Sequence, residues 1–226
     1  MILAIDTATR WTGLALFDGR QLLAEHGWRS LNNQTVELAP TVQQVLARAG
    51  LTPAELSAVS VAIGPGSYTG LRIGLGFAKG LSLANQTALV AVPTLDIVAA
   101  GVSPFAGRLI AVVEAGRTRV CAGPYTWQDG AGWQSAGEAT ITTWEELLQA
   151  EEEPVRFAGE VSPTAAKQIR TAGKSFSLAP PTACVRRAGH LAEIGWKRLR
   201  RGWTDDPAEL APLYLRDPAG AAIAQS

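Results

Sequence analysis

The feature that most constrains the fold is an apolar strand that runs into a glycine-rich turn and then into a helix. Residues 59–63 are almost continuously apolar, as in a strand that is covered on both faces. The turn Gly64-Pro65-Gly66-Ser67-Tyr68-Thr69-Gly70 follows, and the pattern predicts a helix from there to about Leu83. Such a junction presents backbone N–H groups and a helix N-terminus to whatever lies above it. It predicts an α/β protein.

The turn departs from the two common nucleotide-binding signatures. Neither Gly-Lys-Ser nor Gly-Lys-Thr follows it, and its glycines miss the dinucleotide-binding spacing by one residue. Ser67 or Thr69 can cap the helix. Asp6, at the end of the first predicted strand, can hold magnesium through water or cap its own turn. A nucleotide site at this turn therefore stays an alternative, with six candidate residues: Asp6, Thr7, Gly64, Gly66, Ser67 and Thr69.

The helix after the turn contains an unusual number of glycines. Gly74, Gly76 and Gly80 lie inside it, and each costs about 1 kcal/mol of helix stability relative to alanine. Gly70 and Gly74 share one face of the helix, while Gly76 and Gly80 share another. Small residues at this spacing let a second backbone approach closely. The two stripes indicate packing on the chain's own sheet, a helix shared with a partner, or both.

The rest of the sequence predicts a mixed sheet carrying helices, followed by a second unit. Strands are predicted at 1–7, 12–17, 21–28, 89–92, 109–113, 119–125 and 155–158. Helices are predicted at 36–49, 94–100, 144–150, 163–172 and 184–201. Gly101, Pro104 and Gly107 mark a linker. We therefore predict an N-terminal lobe at 1–103 and a C-terminal lobe at 104–226.

Charge is distributed unevenly along a chain whose formal net charge is zero. Residues 1–105 carry six basic and six acidic side chains, and the remaining residues carry fourteen of each. A charge-poor first half favours either a large core or a protein–protein contact surface. The two cysteines suit a reducing cytoplasm, and no apolar run reaches the roughly 18–20 residues that span a bilayer. The N-terminus lacks the pattern of a signal peptide, so we expect a cytoplasmic protein without a membrane partner.

Three segments resemble the TsaB (YeaZ) family. Residues 2–9 are similar to its N-terminal strand, residues 64–74 resemble its glycine-rich signature, and Pro212-Leu213-Tyr214-Leu215-Arg216 is similar to its C-terminal segment. The match is dense over the first hundred residues and thin between about 115 and 205. The resemblance implies the actin-like ATPase superfamily fold (ASKHA, RNase H-like), with two lobes of mixed sheets flanked by helices.

The resemblance also implies a function. A member of this family is the non-catalytic scaffold of the complex that makes threonylcarbamoyladenosine beside the tRNA anticodon. It pairs with the catalytic paralogue TsaD, is joined by the small ATPase TsaE, and homodimerises without its partner. Transfer RNA is then an indirect partner, no cofactor is bound tightly, and ATP and magnesium act only through the complex. The alternative is an actin-like nucleotide-binding phosphotransferase or hydrolase.

The resemblance assigns partner contacts to the helices at about 35–49 and 69–83. The residues expected there are Leu38, Val42, Val45, Leu46, Gly70, Leu71, Ile73, Gly74, Phe77 and Leu81. We expect leucine at Gly70 or Gly74 to abolish pairing while the lobe stays folded.

The paralogue TsaD carries two metal-binding histidines, whereas the corresponding positions here are Thr94 and Val98. Neither side chain is a plausible ligand for iron or zinc. The only histidines, His26 and His190, are isolated from each other in the sequence. We therefore predict neither a catalytic residue nor a metal site.

Two charged features of the sequence each allow two interpretations. Glu114 begins the second lobe's candidate phosphate turn, where it would repel a phosphate or pair with Arg117 or Arg119. A basic cluster before the tail, residues 197–201 with Arg187, is either a solvated helix face or a tRNA-facing patch.

Overall fold

The computed structural model describes residues 1–31, 33–116, 118–151, 154–172 and 176–215. It divides into two compact units. The first comprises Met1–Ile97 and Arg187–Leu213, and the second comprises Val98–Arg186 with Tyr214 and Leu215. The prediction that all of 104–226 forms the second lobe is corrected, because Arg187–Leu213 returns to pack in the first unit.

The first unit is built on a five-stranded mixed sheet with the strand order β3-β2-β1-β4-β5. The strands are β1 Ile2–Asp6, β2 Trp11–Phe17, β3 Leu22–Arg29, β4 Ala58–Ala62 and β5 Ala88–Val92. β1, β2 and β3 pair antiparallel, whereas β1, β4 and β5 run parallel. The Asp18 carboxylate closes the hairpin before β3 by accepting hydrogen bonds from the backbone N–H groups of Arg20 and Gln21. The predicted meander and mixed sheet are confirmed.

In the described part of the chain, six α-helices accompany the strands of the two units. They are α1 Gln34–Arg48, α2 Tyr68–Asn85, α3 Thr94–Ala100, α4 Trp144–Ala150, α5 Pro163–Thr171 and α6 Ala188–Arg200. Successive side chains of β1 point to opposite faces of the sheet, and each face has its own hydrophobic core. Leu3 and Ile5 pack with α1 and α2, whereas Ile2 and Ala4 pack with α6. The sheet of the first unit therefore has helices on both faces, and α6 supplies one of these layers.

The segment after α6 covers the outer edge of β5. The Asp205 backbone N–H donates to the Leu89 carbonyl at 2.9 Å, and its carboxylate accepts from the Ala91 N–H at 2.7 Å. The Arg198 guanidinium donates to the Ala91 carbonyl at 2.5 Å and pairs with Asp96 at 3.1 Å. These contacts satisfy backbone groups that an open strand edge would expose.

The second unit has a sheet with the order β11-β10-β6-β7-β8, and β9 also pairs with β7. Its strands are β6 Arg108–Glu114, β7 Arg119–Gln128, β8 Gly132–Ser135, β9 Thr140–Thr143, β10 Val155–Gly159 and β11 Phe176–Leu178. Helices α4 and α5 pack on one face of this sheet, around Val112, Phe157 and Ile169. The strands β8, β9 and β11 are absent from the sequence-based prediction. None of the described helices combines the length and apolarity that a bilayer crossing requires.

Candidate functional site

The glycine-rich turn between β4 and α2 is held by contacts from its own chain. The backbone of Gly64 has a φ of +118°, and its N–H donates to the Thr94 hydroxyl at 3.1 Å. A Cβ at Gly64 would lie 2.5 Å from the Leu213 carbonyl oxygen, and the Leu213 N–H donates to the Ile63 carbonyl at 2.7 Å. Only glycine suits this position, because it combines a left-handed φ with a close backbone approach.

The start of α2 rests on the residues that follow β1. The Ser67 N–H donates to the Ala8 carbonyl at 2.6 Å, and a Cβ at Gly66 would overlap that same oxygen. The Ser67 hydroxyl accepts from the Gly70 N–H at 3.3 Å, so Ser67 is the N-cap of the helix. Thr69 is exposed in the first turn of the helix. The capping alternative for Ser67 is therefore confirmed.

Gly70 and Gly74 form the inner stripe of α2, the one that faces the sheet. A Cβ at Gly70 would overlap the Thr7 carbonyl oxygen, and one at Gly74 would overlap the Thr7 hydroxyl. The Thr7 hydroxyl donates to the Gly70 carbonyl at 2.7 Å. The inner stripe thus serves close packing within the first unit.

Gly76 and Gly80 form the outer stripe of α2, which points away from the sheet. Both residues are exposed, and apart from their chain neighbours and the nearby backbone of α2 itself, no atom of the described residues comes within 4 Å of a Cβ added at either one. Leu83 extends the stripe by one helical turn, and its side chain is 66% exposed. This side of α2 carries two glycines and an exposed leucine, and Thr69 and Arg72 are exposed as well. The two glycines leave part of this surface without projecting side chains.

Helix α1 lies beside α2 and presents further exposed residues of low polarity. Val36 is 70% exposed, and Ala39, Pro40 and Ala47 are exposed as well. We call nine of the exposed residues of the two helices the α1–α2 outer face; they are Val36, Ala39, Pro40, Ala47, Thr69, Arg72, Gly76, Gly80 and Leu83. The other exposed residues of α1 and α2 are Thr35, Gln43, Gln44, Arg48 and Ala84.

Most residues predicted to contact a partner lie in the core of the first unit. Seven of the ten are buried, namely Leu38, Val42, Val45, Leu46, Gly70, Leu71 and Gly74. Ile73, Phe77 and Leu81 are half-buried beside the core. The expectation that leucine at Gly70 or Gly74 leaves the lobe folded is wrong, because each would collide with Thr7. The sequence separates two glycine stripes on α2, since Gly76 and Gly80 lie on a different side of the helix from Gly70 and Gly74.

Apart from the exposed Thr69, the candidate nucleotide residues are engaged in internal contacts. Asp6 is fully buried, and its carboxylate accepts from the Ala8 N–H at 2.9 Å, which is the turn-capping arrangement. Carbonyl oxygens of Thr7, Ala8 and Leu213 lie where Gly70, Gly66 and Gly64 would carry a Cβ, so these three glycines serve close packing within the first unit.

Thr94 and Val98, which the resemblance matches to metal-binding positions of the paralogue, have structural roles here. Thr94 is fully buried, and its hydroxyl accepts from Gly64, while Val98 is buried beside Gly159. Within the described ranges, no three histidine, cysteine, aspartate or glutamate side chains are grouped so that they could hold a metal ion. The ring of His26 lies against Trp28, with centroids 5.2 Å apart.

His190 lies in the first turn of α6 and is half-buried. Burial lowers its pKa, and the positive charge of Arg187 lowers it further. Glu193 and Glu25 oppose that shift, while Lys197 adds to it. The structure therefore favours neutral imidazole at this position.

The basic cluster of α6 is largely paired. Arg198 binds Asp96, Lys197 lies 3.3 Å from Glu193, and Arg187 pairs with Glu25. The guanidinium of Arg201 lies over the Trp203 ring, 5.2 Å from its centroid. These contacts neutralise much of the cluster's charge, which favours the solvated-face alternative.

Glu160 binds the backbone at the start of the candidate phosphate turn of the second lobe, which begins at Glu114. Its carboxylate accepts from the Glu114 N–H at 2.9 Å and pairs with Arg186 at 3.0 Å, a guanidinium that is almost fully buried. Arg117, the predicted partner of Glu114, and Arg216 of the C-terminal segment lie outside the described residues.

Comparison with known sequences identifies relatives over most of the chain. The family model for TsaD, tRNA N6-adenosine threonylcarbamoyltransferase, matches residues 31–224. The chain is 34% identical over 160 residues to the tRNA threonylcarbamoyladenosine biosynthesis protein TsaB of Bacillus subtilis, covering 70% of each protein. The Escherichia coli protein of the same name is 34% identical over 141 residues, which are 62% of this chain and 60% of that protein.

The transferase itself is matched over a smaller share of its length. A tRNA N6-adenosine threonylcarbamoyltransferase of Anaeromyxobacter is 35% identical over 163 residues, which are 61% of this chain and 49% of that enzyme.

A solved structure matches nearly the whole chain. YeaZ from Pseudomonas aeruginosa superimposes with a TM-score of 0.78 at 25% identity, covering 95% of this chain and 99% of that one. The two mixed sheets with flanking helices and this structural match confirm the predicted fold class, an actin-like α/β fold with two lobes.

Proposed function

Because this chain belongs to the TsaB (YeaZ) family, we propose that it serves tRNA threonylcarbamoyladenosine biosynthesis as a non-catalytic scaffold subunit. In this role it pairs with a TsaD-type transferase, and the α1–α2 outer face is the docking surface. The observation that carries the proposal is the outer stripe of α2, where Gly76 and Gly80 face open space within the described structure.

Gly76 and Gly80 destabilise the isolated helix. Each costs the helix about 1 kcal/mol relative to alanine. The inner stripe offsets this kind of cost by packing on Thr7, whereas the described residues give Gly76 and Gly80 no contact of that kind. A second helix laid across the stripe would supply the missing contact, because a residue without Cβ lets two helix axes approach below the usual separation of about 8–10 Å.

Exposed apolar side chains on both helices, α1 and α2, support the same surface. Leu83 and Val36 are among the most exposed large hydrophobic residues of the described chain. Burying apolar area contributes about 25 cal/mol per Å², and a stable interface of standard size buries about 1,600 Å² in total. Two helices of this length can provide one side of such an interface.

We infer from its side chains that this chain does not itself catalyse the transfer. Thr94 and Val98 stand where the resemblance puts metal-binding histidines, and both are buried in packing or hydrogen bonds. Gly64, Gly66 and Gly70 of the turn pack against carbonyl oxygens of the chain itself, and we infer that this chain alone binds no nucleotide tightly. ATP and magnesium then enter through the complex, which a TsaE-type ATPase joins.

The same face offers an interface to a second copy of the chain when the transferase is missing. We therefore propose homodimer and heterodimer as competing states of one surface. Transfer RNA is an indirect partner in this scheme, because the basic cluster of α6 is largely engaged in ion pairs.

The test is a reconstitution with purified TsaD-type transferase, TsaE-type ATPase, tRNA and threonylcarbamoyl adenylate. We expect modification of tRNA only when the wild-type chain is added, and none from the chain by itself. The doubly substituted Gly76→Leu/Gly80→Leu chain should not support the reaction, because two leucines would separate the helices.

The control is Gln168→Leu, which adds an exposed leucine to α5 and leaves α2 unchanged. It should support the reaction like the wild type, and circular dichroism should report folded protein for both variants. Transfer by the chain alone would favour the enzyme alternative. Full support by the Gly76→Leu/Gly80→Leu chain would refute the assigned docking surface.

A further inference from the structure

We propose that Thr7 is the positioning residue of the α1–α2 outer face: it fixes where α2 sits on the sheet and thereby sets the alignment of the outer stripe. Thr7 itself touches no partner, since it is fully buried. The link to pairing rests on the proposed function, whereas the link between Thr7 and α2 concerns the isolated chain.

Thr7 contacts α2 through its backbone and its side chain. Its carbonyl oxygen occupies the space that a Cβ would need at Gly70, and its hydroxyl occupies the space that a Cβ would need at Gly74. The hydroxyl donates to the Gly70 carbonyl at 2.7 Å, and this bond is buried. One residue at the end of β1 therefore touches two successive turns of the helix.

The inner and outer stripes belong to the same rigid element. Gly70 and Gly76 are six residues apart, which is about 9 Å along an α-helix. Interiors are close-packed, so a change at the Thr7 contact displaces the helix instead of being absorbed locally. A shift or rotation of α2 at its inner stripe therefore moves the outer stripe as well.

The chain offers a matched control in Thr12 on the neighbouring strand β2. Thr12 is also fully buried, but its hydroxyl has no hydrogen-bond partner among the described residues. Replacing both threonines by valine makes the same chemical change, yet only at Thr7 does it remove a bond to α2. Burying a hydroxyl without a partner is unfavourable, so Thr12→Val should be neutral or stabilising.

The first experiment needs no partner. Amide hydrogen exchange is followed in the free wild-type chain and in Thr7→Val, Thr7→Ser and Thr12→Val. In Thr7→Val we expect exchange in the first two turns of α2 to rise about tenfold relative to the amides of β4, the factor that one lost hydrogen bond corresponds to. Thr7→Ser keeps the hydroxyl and should restore most of the protection, while Thr12→Val should match the wild type.

A role of Thr7 limited to global stability would raise exchange equally in α2 and β4. That uniform pattern, or unchanged exchange in Thr7→Val, would overturn the inference. So would equal effects of Thr7→Val and Thr12→Val.

The second experiment measures affinity for the TsaD-type transferase by calorimetry, at a temperature where every variant is fully folded. Thr7→Val should weaken binding at least threefold. The reason is that binding must then return α2 to its position, which costs part of the free energy of one hydrogen bond. Thr7→Ser and Thr12→Val should stay near the wild-type affinity. If the wild-type chain does not bind, the proposed function fails and the exchange data alone decide the role of Thr7. If it binds and Thr7→Val binds equally well, the positioning role is refuted.

Discussion

Replacing both outer glycines of α2 by alanine should make the isolated protein more stable. Gly76 and Gly80 lie in the interior of the helix, and a Cβ at either position meets no described atom within 4 Å beyond its chain neighbours and the nearby backbone of α2. The substitutions therefore gain helix propensity without a steric penalty. They also lower the conformational entropy of the unfolded chain.

The magnitude follows from helix propensity. Each Gly→Ala change in an exposed helix interior contributes about 1 kcal/mol, so the pair should add roughly 2 kcal/mol to the free energy of unfolding. For a chain of this length about 1 kcal/mol shifts the melting temperature by about 2–4 °C, which gives about 4–8 °C in total.

Gly74→Ala is the contrasting variant, because it makes the same chemical change on the inner stripe. Its Cβ would overlap the Thr7 hydroxyl, and the clash should outweigh the propensity gain with a net loss of about 1–3 kcal/mol. Urea unfolding at low protein concentration measures both free energies while keeping self-association out of the result. Destabilisation by Gly76→Ala/Gly80→Ala, or stabilisation by Gly74→Ala, would refute the assignment of the two stripes.

Three further predictions concern other parts of the chain. Asp205→Ala leaves the Ala91 N–H without its acceptor and should cost about 1–3 kcal/mol in urea unfolding. Ser67→Ala removes the cap of α2 and should cost about 0.5–2 kcal/mol in the same assay. The pKa of His190 in the folded chain lies below its ordinary value, so on acidification the unfolded chain binds a proton at this side chain before the folded chain does. The free energy of unfolding should therefore fall as the pH drops below about 6.5. His190→Gln should remove this part of the pH dependence of stability.

The sequence predicted most of the first unit because its signals are local. The apolar runs of β1, β4 and β5, the hairpin at Asp18 and the glycine-rich turn each specify an element within a few residues. Helix α6 is different. Its apolar face predicts a helix, but nothing local indicates that it packs on Ile2 and Ala4, about 190 residues earlier. Long-range packing of this kind decides the lobe to which a segment belongs.

The α1–α2 outer face also could not be assigned from local sequence signals. Leu38, Val42, Val45 and Leu46 form an apolar stripe, and a stripe by itself does not distinguish a core from an interface. The stripe faces the sheet, so α1 offers a partner only its opposite side. On α2 the two glycine stripes were separable in sequence, but only the position of Thr7 reveals which of them is internal.

The strands β8, β9 and β11 escaped prediction because they are short and half-exposed. Each has three or four residues, and their pairing depends on neighbours rather than on an apolar run of their own.

If the outer stripe of α2 receives a partner's helix, the dissociation constant with the TsaD-type transferase must depend on Gly76 and Gly80. We expect Gly76→Ala/Gly80→Ala to bind at least tenfold more weakly than the wild type, about 1.4 kcal/mol, although the variant is the more stable protein. Two added methyl groups would hold the helices apart without disturbing the fold. An unchanged dissociation constant for this stabilised variant would show that no partner helix lies on the outer stripe.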